Sequence, residues 1–219
     1  MRLPSHYDLI SWGYEYFTEK LHGSHRIEAI DLLHLRPGQT ILDVPCGTGA
    51  NFPLLEERIG PSGTVLGVDF SKGMLARGSR KVTKAGWKNI ELIQADVRTL
   101  TSTQLGSRSV DAAICMLGLS VVPDWEVAFQ QMYDLVTPGG RFVAMDLYLD
   151  GKALSGIANT YYRVIAQAHS RRRFWEPLEA RVTDFEAIEH RWFGGVAKII
   201  AGTKPAAVAD SSLLSPDGG

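Results

Sequence analysis

An apolar, strand-like run that ends in an acidic residue and breaks at once into a glycine turn constrains this chain more than any other feature. It reads Thr40-Ile41-Leu42-Asp43-Val44-Pro45-Cys46-Gly47-Thr48-Gly49-Ala50-Asn51-Phe52. In an open α/β sheet, such a strand-to-helix turn presents backbone N–H groups and a helix N-terminus to a nucleotide-like ligand, and glycines let the main chain approach closely. Gly47 and Gly49 meet that demand. A Gly-x-Gly pair is weak alone, because 22 glycines in 219 residues produce the spacing by chance. Its context decides what it means.

Helical and strand-like periodicities alternate around the turn. Tyr7, Ile10, Tyr14, Phe17 and Leu21 recur at helical spacing, and Ser24 can cap a second helix carrying Ile27, Ile30 and Leu33 before Pro37-Gly38. Residues 1–37 thus read as N-terminal cover helices. Strands are predicted at 41–44, 64–68, 90–95, 110–116 and 140–147, with helices at 51–58, 71–85 and 124–136. This alternation predicts a doubly wound, mostly parallel α/β sheet with helices on both faces. Then the rhythm changes. Residues 148–183 read as an insertion with a helical stretch at 152–169, and strands at 185–193 and 196–202, joined by Gly194-Gly195, predict an antiparallel hairpin at the sheet edge. The small, polar, Pro/Gly-rich residues 205–219 read as a disordered tail, leaving 1–204 as one domain.

Composition excludes little but guides the search. An apolar fraction of 45% and a net charge of −1 are ordinary for a globular protein and give no general pull toward nucleic acid. Cys46 and Cys115 both fall at predicted buried strand ends with no secretory signal ahead of them, so free thiols and a cytoplasmic protein are expected. The longest apolar run, 112–122, is shorter than the ~18 residues of a membrane span, which restricts any membrane contact to the periphery.

Three carboxylates end successive predicted strands: Asp43, Asp69 and Asp96. In a parallel sheet all three face one crevice at the carboxyl edge, and an acidic residue about 20 positions beyond the glycine turn can accept both ribose hydroxyls. On Leu42-Asp43-Val44-Pro45-Cys46-Gly47-Thr48-Gly49, Val65-Leu66-Gly67-Val68-Asp69-Phe70-Ser71 with Met74-Leu75, Gln94-Ala95-Asp96-Val97 and Leu135-Val136-Thr137-Pro138-Gly139-Gly140-Arg141-Phe142, the chain resembles the class I S-adenosylmethionine-dependent methyltransferases. That resemblance implies a seven-stranded Rossmann-like sheet and S-adenosylmethionine as cofactor. It implies that Asp43, Pro45, Cys46, Gly47 and Gly49 line the methionine moiety and that Asp69, beside Phe70 and Met74, holds the ribose. Asp96 would hydrogen-bond the adenine amino group with Val97 beside it, and Met116 and Leu117 would pass under the cofactor. Pro45 stands where the family pattern usually has glycine. It removes a donor and fixes φ, which a strand end tolerates.

Methyl transfer from a sulfonium asks chiefly for alignment and exclusion of water, and a carbon nucleophile beside a phenol also asks for a base. The candidates are Tyr7 and neighbouring His6, Asp146, Tyr148 and His169, with Tyr161 and Tyr162 in the insertion. Leu119-Ser120-Val121-Val122-Pro123-Asp124-Trp125 is similar to small-molecule and lipid methyltransferases of the ubiquinone/menaquinone and phospholipid N-methyltransferase groups. The expected acceptor is therefore a lipid amine or a quinone-like compound, and the run Arg171-Arg172-Arg173-Phe174-Trp175 would suit an anionic headgroup or surface. Two other readings stay open. A nicotinamide-dependent oxidoreductase shares the glycine turn and acidic residue, although Phe52 stands at the third glycine position and no Tyr-x-x-x-Lys element occurs. A non-catalytic scaffold would keep the cofactor residues and lack turnover. No metal site and no nucleic-acid partner is expected, and oligomeric state has no sequence signal.

Overall fold

The computed structural model describes residues 23–149, 169, 171–192 and 195–206. A helix over residues 23–31 (α1) leads to β1 (Thr40–Asp43), α2 (Phe52–Ile59), β2 (Thr64–Asp69), α3 (Lys72–Ala85), β3 (Ile90–Gln94) and two single-turn 3₁₀ segments, Val97–Thr99 and Thr103–Leu105. β4 (Val110–Met116), α4 (Trp125–Leu135), β5 (Val136–Tyr148), a one-turn α5 (Glu176–Glu179), β6 (Glu186–Trp192) and β7 (Gly195–Thr203) complete it. The sheet order is β3-β2-β1-β4-β5-β7-β6. Strands β1 to β5 pair in parallel, and β7 runs antiparallel to both β5 and β6. The predicted doubly wound sheet with its terminal hairpin is what forms. The first predicted helix, the helical stretch at 152–168 and the tail beyond 206 lie outside the described residues.

Strand alternation divides the core into two layers. Ile41, Val65, Ala112, Ile114, Val143 and Ile199 point to one face, where Ile30 of α1, Leu33 in the turn after it, and Phe52, Leu55 and Ile59 of α2 cover them. Their neighbours Leu42, Leu66, Ala113, Cys115, Phe142 and Ile200 point the other way, against Phe129 and Met132 of α4 and against Phe174 and Leu178. Period-2 burial on both faces is what a central sheet between helices requires. Phe52 sits in the space left by two glycines, since a Cβ on Gly49 (φ +75°) or Gly67 would come within 2.3 or 2.8 Å of its ring.

Strand β5 begins earlier than predicted, directly at the end of α4. Val136 pairs with Val110, a bulge absorbs Thr137 to Gly140, and Arg141 resumes pairing at Ala112. The bulge admits Pro138 without costing a ladder bond, while Gly139 N–H and Gly140 C=O pair with Lys204. Arg141 is buried and gathers the edge. It donates to Leu32 O at the end of α1, to Asp184 and Thr203 at 3.0 and 3.1 Å, and to Glu186. His190 of β6 meets Glu28 of α1 at 2.5 Å with the His25 ring 4.6 Å away, so α1 is pinned to the hairpin from a second side. Among the described residues no helix is long and apolar enough to cross a membrane.

Candidate functional site

The carboxyl ends of β1, β2, β3 and β4 open onto one cavity of about 370 Å³. Parallel topology dictates this, because the chain leaves each of these strands on the same sheet edge and neighbouring turns diverge there. Ten of the twelve predicted cofactor residues line it: Pro45, Cys46, Gly47, Asp69, Phe70, Met74, Asp96, Val97, Met116 and Leu117. Asp43 and Gly49 do not. Gly49 closes the turn through its N–H to Cys46 O at 2.9 Å, and Asp43 is fully buried behind the lining.

Asp43 is the electrostatic centre of the floor. Asn51 Nδ2 donates to its Oδ1 at 2.8 Å, and Asn51 Oδ1 in turn accepts from Arg26 of α1. Asp43 Oδ2 is buried and has no hydrogen-bond partner among the described residues. A buried carboxylate oxygen without a donor is costly. Burial pushes the Asp43 carboxyl up to about 7, against the opposing pull of the Asn51 hydrogen bond and the Arg26 charge. Burial likewise pushes the Cys46 thiol far above its ordinary value, which suits a packing residue rather than a nucleophile.

Asp69 and Asp96 are engaged differently. Asp69 Oδ2 accepts from Gly47 N–H and its Oδ1 from Ser71 N–H, both at 2.8 Å, so one carboxylate ties the glycine turn to the start of α3. Ser71 also caps α3 by accepting from Met74 N–H at 3.1 Å. Asp96 is gripped by the Arg98 guanidinium at 2.7 to 3.2 Å, and the hydrogen bonds from Arg98 hold its carboxyl below the usual range. Both acids line the cavity at the sheet edge. Phe70 stands half exposed at the mouth.

Opposite this polar rim the wall is apolar. Leu117, Val121, Val122 and Pro123, all from the segment between β4 and α4, form it. That segment lies directly on the glycine turn, since a Cβ on Gly118 would come within 2.3 Å of the Pro45 ring. The Val44-Pro45 peptide is cis.

Among the described residues, none of the predicted catalytic candidates lines the cavity. Asp146 is buried and accepts from Ser120 N–H and Leu147 N–H at 2.7 and 2.8 Å, outside the lining. The Tyr148 ring packs edge-on against Trp175 at 4.9 Å, and exposed His169 donates its backbone N–H to Ser120 O. Tyr7, His6, Tyr161 and Tyr162 lie outside the described residues. The three consecutive arginines do not share one face. Arg172 turns inward onto backbone carbonyls and Arg173 pairs with Glu176 at 2.8 Å. No cluster of His, Cys, Asp and Glu among the described residues has metal-binding geometry.

Sequence reasoning missed Arg26 and Asn51, which complete the floor. Both carried a signal. Arg26 shares a helical stripe with Ile30 and Leu33 at spacings of four and seven, so a cation there must face the sheet. Asn51 stands at an N-cap position yet makes no cap bond, its side chain being committed to Asp43.

Comparisons with known proteins bear on the family and the fold. Residues 41–140 match the family described as methyltransferase domain. Over 147 residues, 67% of this chain, the protein is 35% identical to a demethylmenaquinone methyltransferase of Listeria monocytogenes serotype 4a (strain HCC23), and it spans 61% of that relative's length. The demethylmenaquinone methyltransferase of Geobacillus sp. (strain WCH70) is 28% identical over 201 residues, 92% of this chain and 80% of the relative. Among solved structures, S-adenosylmethionine-dependent methyltransferase SibL superposes with a TM-score of 0.67 at 19% identity, covering 93% of this chain and 60% of that one, which supports the fold.

Proposed function

Since the chain belongs, through its residues 41–140, to the class I S-adenosylmethionine-dependent methyltransferases, we propose that the whole protein transfers a methyl group from S-adenosylmethionine to an apolar small-molecule acceptor. The observation that carries this reading is the division of one cavity into a polar, acidic floor and rim and an apolar wall. The cofactor has a zwitterionic amino-acid end joined to a cationic sulfonium, a hydroxyl-rich middle and an aromatic end. The floor supplies a match for each part.

Asp43, buried directly behind the lining with an orphaned oxygen, would attract the ammonium of the methionine end by its charge, and Arg26, which lines the cavity, would balance the carboxylate of that end. Asp69 would accept from the ribose hydroxyls while still holding the glycine turn, and Asp96, kept ionised by Arg98, would accept from the adenine amino group between Phe70 and Val97. When bound, the cofactor supplies an electrophilic methyl on sulfur whose departure leaves a neutral thioether. The protein's part is then to align the nucleophile and keep water out. Val121, Val122 and Pro123 would do so by packing on the acceptor, with Leu117 beneath the cofactor beside them.

The relatives named for demethylmenaquinone make a quinol ring the first acceptor to test. One observation favours a lipid amine as the second. The described residues of the apolar wall carry no titratable side chain, and an amine can lose its proton to solvent whereas a ring carbon needs a base. The test is transfer of labelled methyl from S-adenosylmethionine to a short-chain demethylmenaquinol and to phosphatidylethanolamine in parallel. Labelled quinol supports the first reading and labelled lipid the second. Tight cofactor binding with no turnover on any acceptor would favour a scaffold.

A further inference from the structure

Residues 117–124, which build the apolar wall, do not hold their own shape. Leu117 (φ +56°) and Asp124 (φ +47°) bracket the segment in the left-handed region, an arrangement that costs non-glycine residues energy and must be held from outside. Within the segment, Val121 and Val122 N–H groups bond to Gly118 O. The remaining ties come from neighbours. Met145 O receives Leu117 N–H at 2.7 Å, and the Asp146 carboxylate receives Ser120 N–H at 2.7 Å. From the other side Arg172 Nη1 donates to both Leu119 O and Val122 O, at 2.5 and 2.7 Å, and His169 N–H reaches Ser120 O at 2.7 Å. Arg98 closes the far end on Asp124 at 3.0 Å.

Resting on the proposed function, we propose that Asp146 and Arg172 form a latch that fixes residues 119–122 of this segment as the acceptor-side wall, making them positioning residues for the methyl acceptor and not for the cofactor. The two grip complementary backbone groups. Asp146, at the end of β5, takes a donor, and Arg172 spans two carbonyls three residues apart, bringing Val121 and Val122 to the cavity. Neither side chain is among the described residues that line the cavity.

The test uses the full chain with Arg172→Met, Arg172→Lys and Asp146→Asn. Backbone hydrogen exchange across 117–124 should accelerate at least about tenfold in Arg172→Met. The affinity for S-adenosylhomocysteine should stay within about threefold of wild type, and acceptor KM should rise several-fold more than kcat falls. Arg172→Lys, which keeps a donor in reach of both carbonyls, should recover most of the protection. Asp146→Asn serves if Arg172→Met fails to fold, and should loosen the same segment. Unchanged exchange in folded variants would overturn the latch, as would an affinity loss for S-adenosylhomocysteine equal to the loss for acceptor. If the wild-type chain methylated neither acceptor, the functional reading would fail separately, and the exchange comparison would still decide whether the latch exists.

Discussion

Asn51 donates its amide N–H to Asp43 Oδ1 across 2.8 Å while its own amide oxygen accepts from Arg26, so one uncharged side chain joins a buried carboxylate to a buried cation. The arrangement leaves Asp43 Oδ2 buried without a donor among the described residues. An unsatisfied buried acceptor opposes folding and is retained where a ligand completes it.

Asp43→Asn should therefore trade binding for stability. The folded-state carboxyl lies at about 7, above its unfolded value, so the native state binds the extra proton and stability is lost as pH rises through about 7. The variant removes that loss while keeping an oxygen for Asn51. Thermal melts should show it gaining on wild type at about pH 8 relative to about pH 5, and titration with S-adenosylhomocysteine should show roughly tenfold weaker binding, the scale of losing one nearby opposite charge.

The pH dependence of binding follows from the same group. A ligand ammonium beside Asp43 favours the ionised form, so binding near pH 6 must expel a proton and affinity should climb as pH rises through about 7. The gain should end near pH 8, roughly where an α-amino group loses its own charge. Calorimetry in buffers of different ionisation enthalpy measures the released proton. A flat profile in wild type would exclude Asp43 from the binding equilibrium.

Asp69→Ala should hurt twice. It deletes the proposed ribose acceptor and strips Gly47 N–H and Ser71 N–H of theirs, each left unpaired at a cost of about 1–3 kcal/mol. A lowered melting temperature together with more than about tenfold weaker S-adenosylhomocysteine binding is expected. Unaltered affinity would remove Asp69 from the site.

Phe52→Ala should be among the most destabilising single changes, at about 3–5 kcal/mol, because the fully buried ring fills the space that Gly49 and Gly67 leave. For a chain this long, that corresponds to a melting shift on the order of 10 °C, measurable by differential scanning fluorimetry.

The sheet was legible because its strands are short apolar runs with glycine or acidic stops, and the ordered motifs around Asp43, Asp69 and Asp96 marked the sheet edge that opens on the cavity. What composition could not convey was direction. Arg171, Arg172 and Arg173 read as one basic run, yet Arg172 turns onto Leu119 and Val122 carbonyls while Arg173 turns to Glu176. Asp146 read as a candidate base because it stands near the end of the fifth predicted strand, but the chain folds Ser120 back over it. Long-range backbone partners of this kind leave no periodic trace in a sequence. The start of β5 was obscured for a local reason, since Pro138, Gly139 and Gly140 signal a turn and the sheet accommodates them as a bulge.

Calorimetric titration with S-adenosylhomocysteine and NADH, run side by side on the full chain, tests the central claim most directly. An acidic floor completed by Arg26 and Asn51 predicts micromolar or tighter binding of S-adenosylhomocysteine and no measurable heat with NADH. Binding of NADH in preference to the adenosyl ligand would contradict the assignment and return the crevice to dinucleotide chemistry.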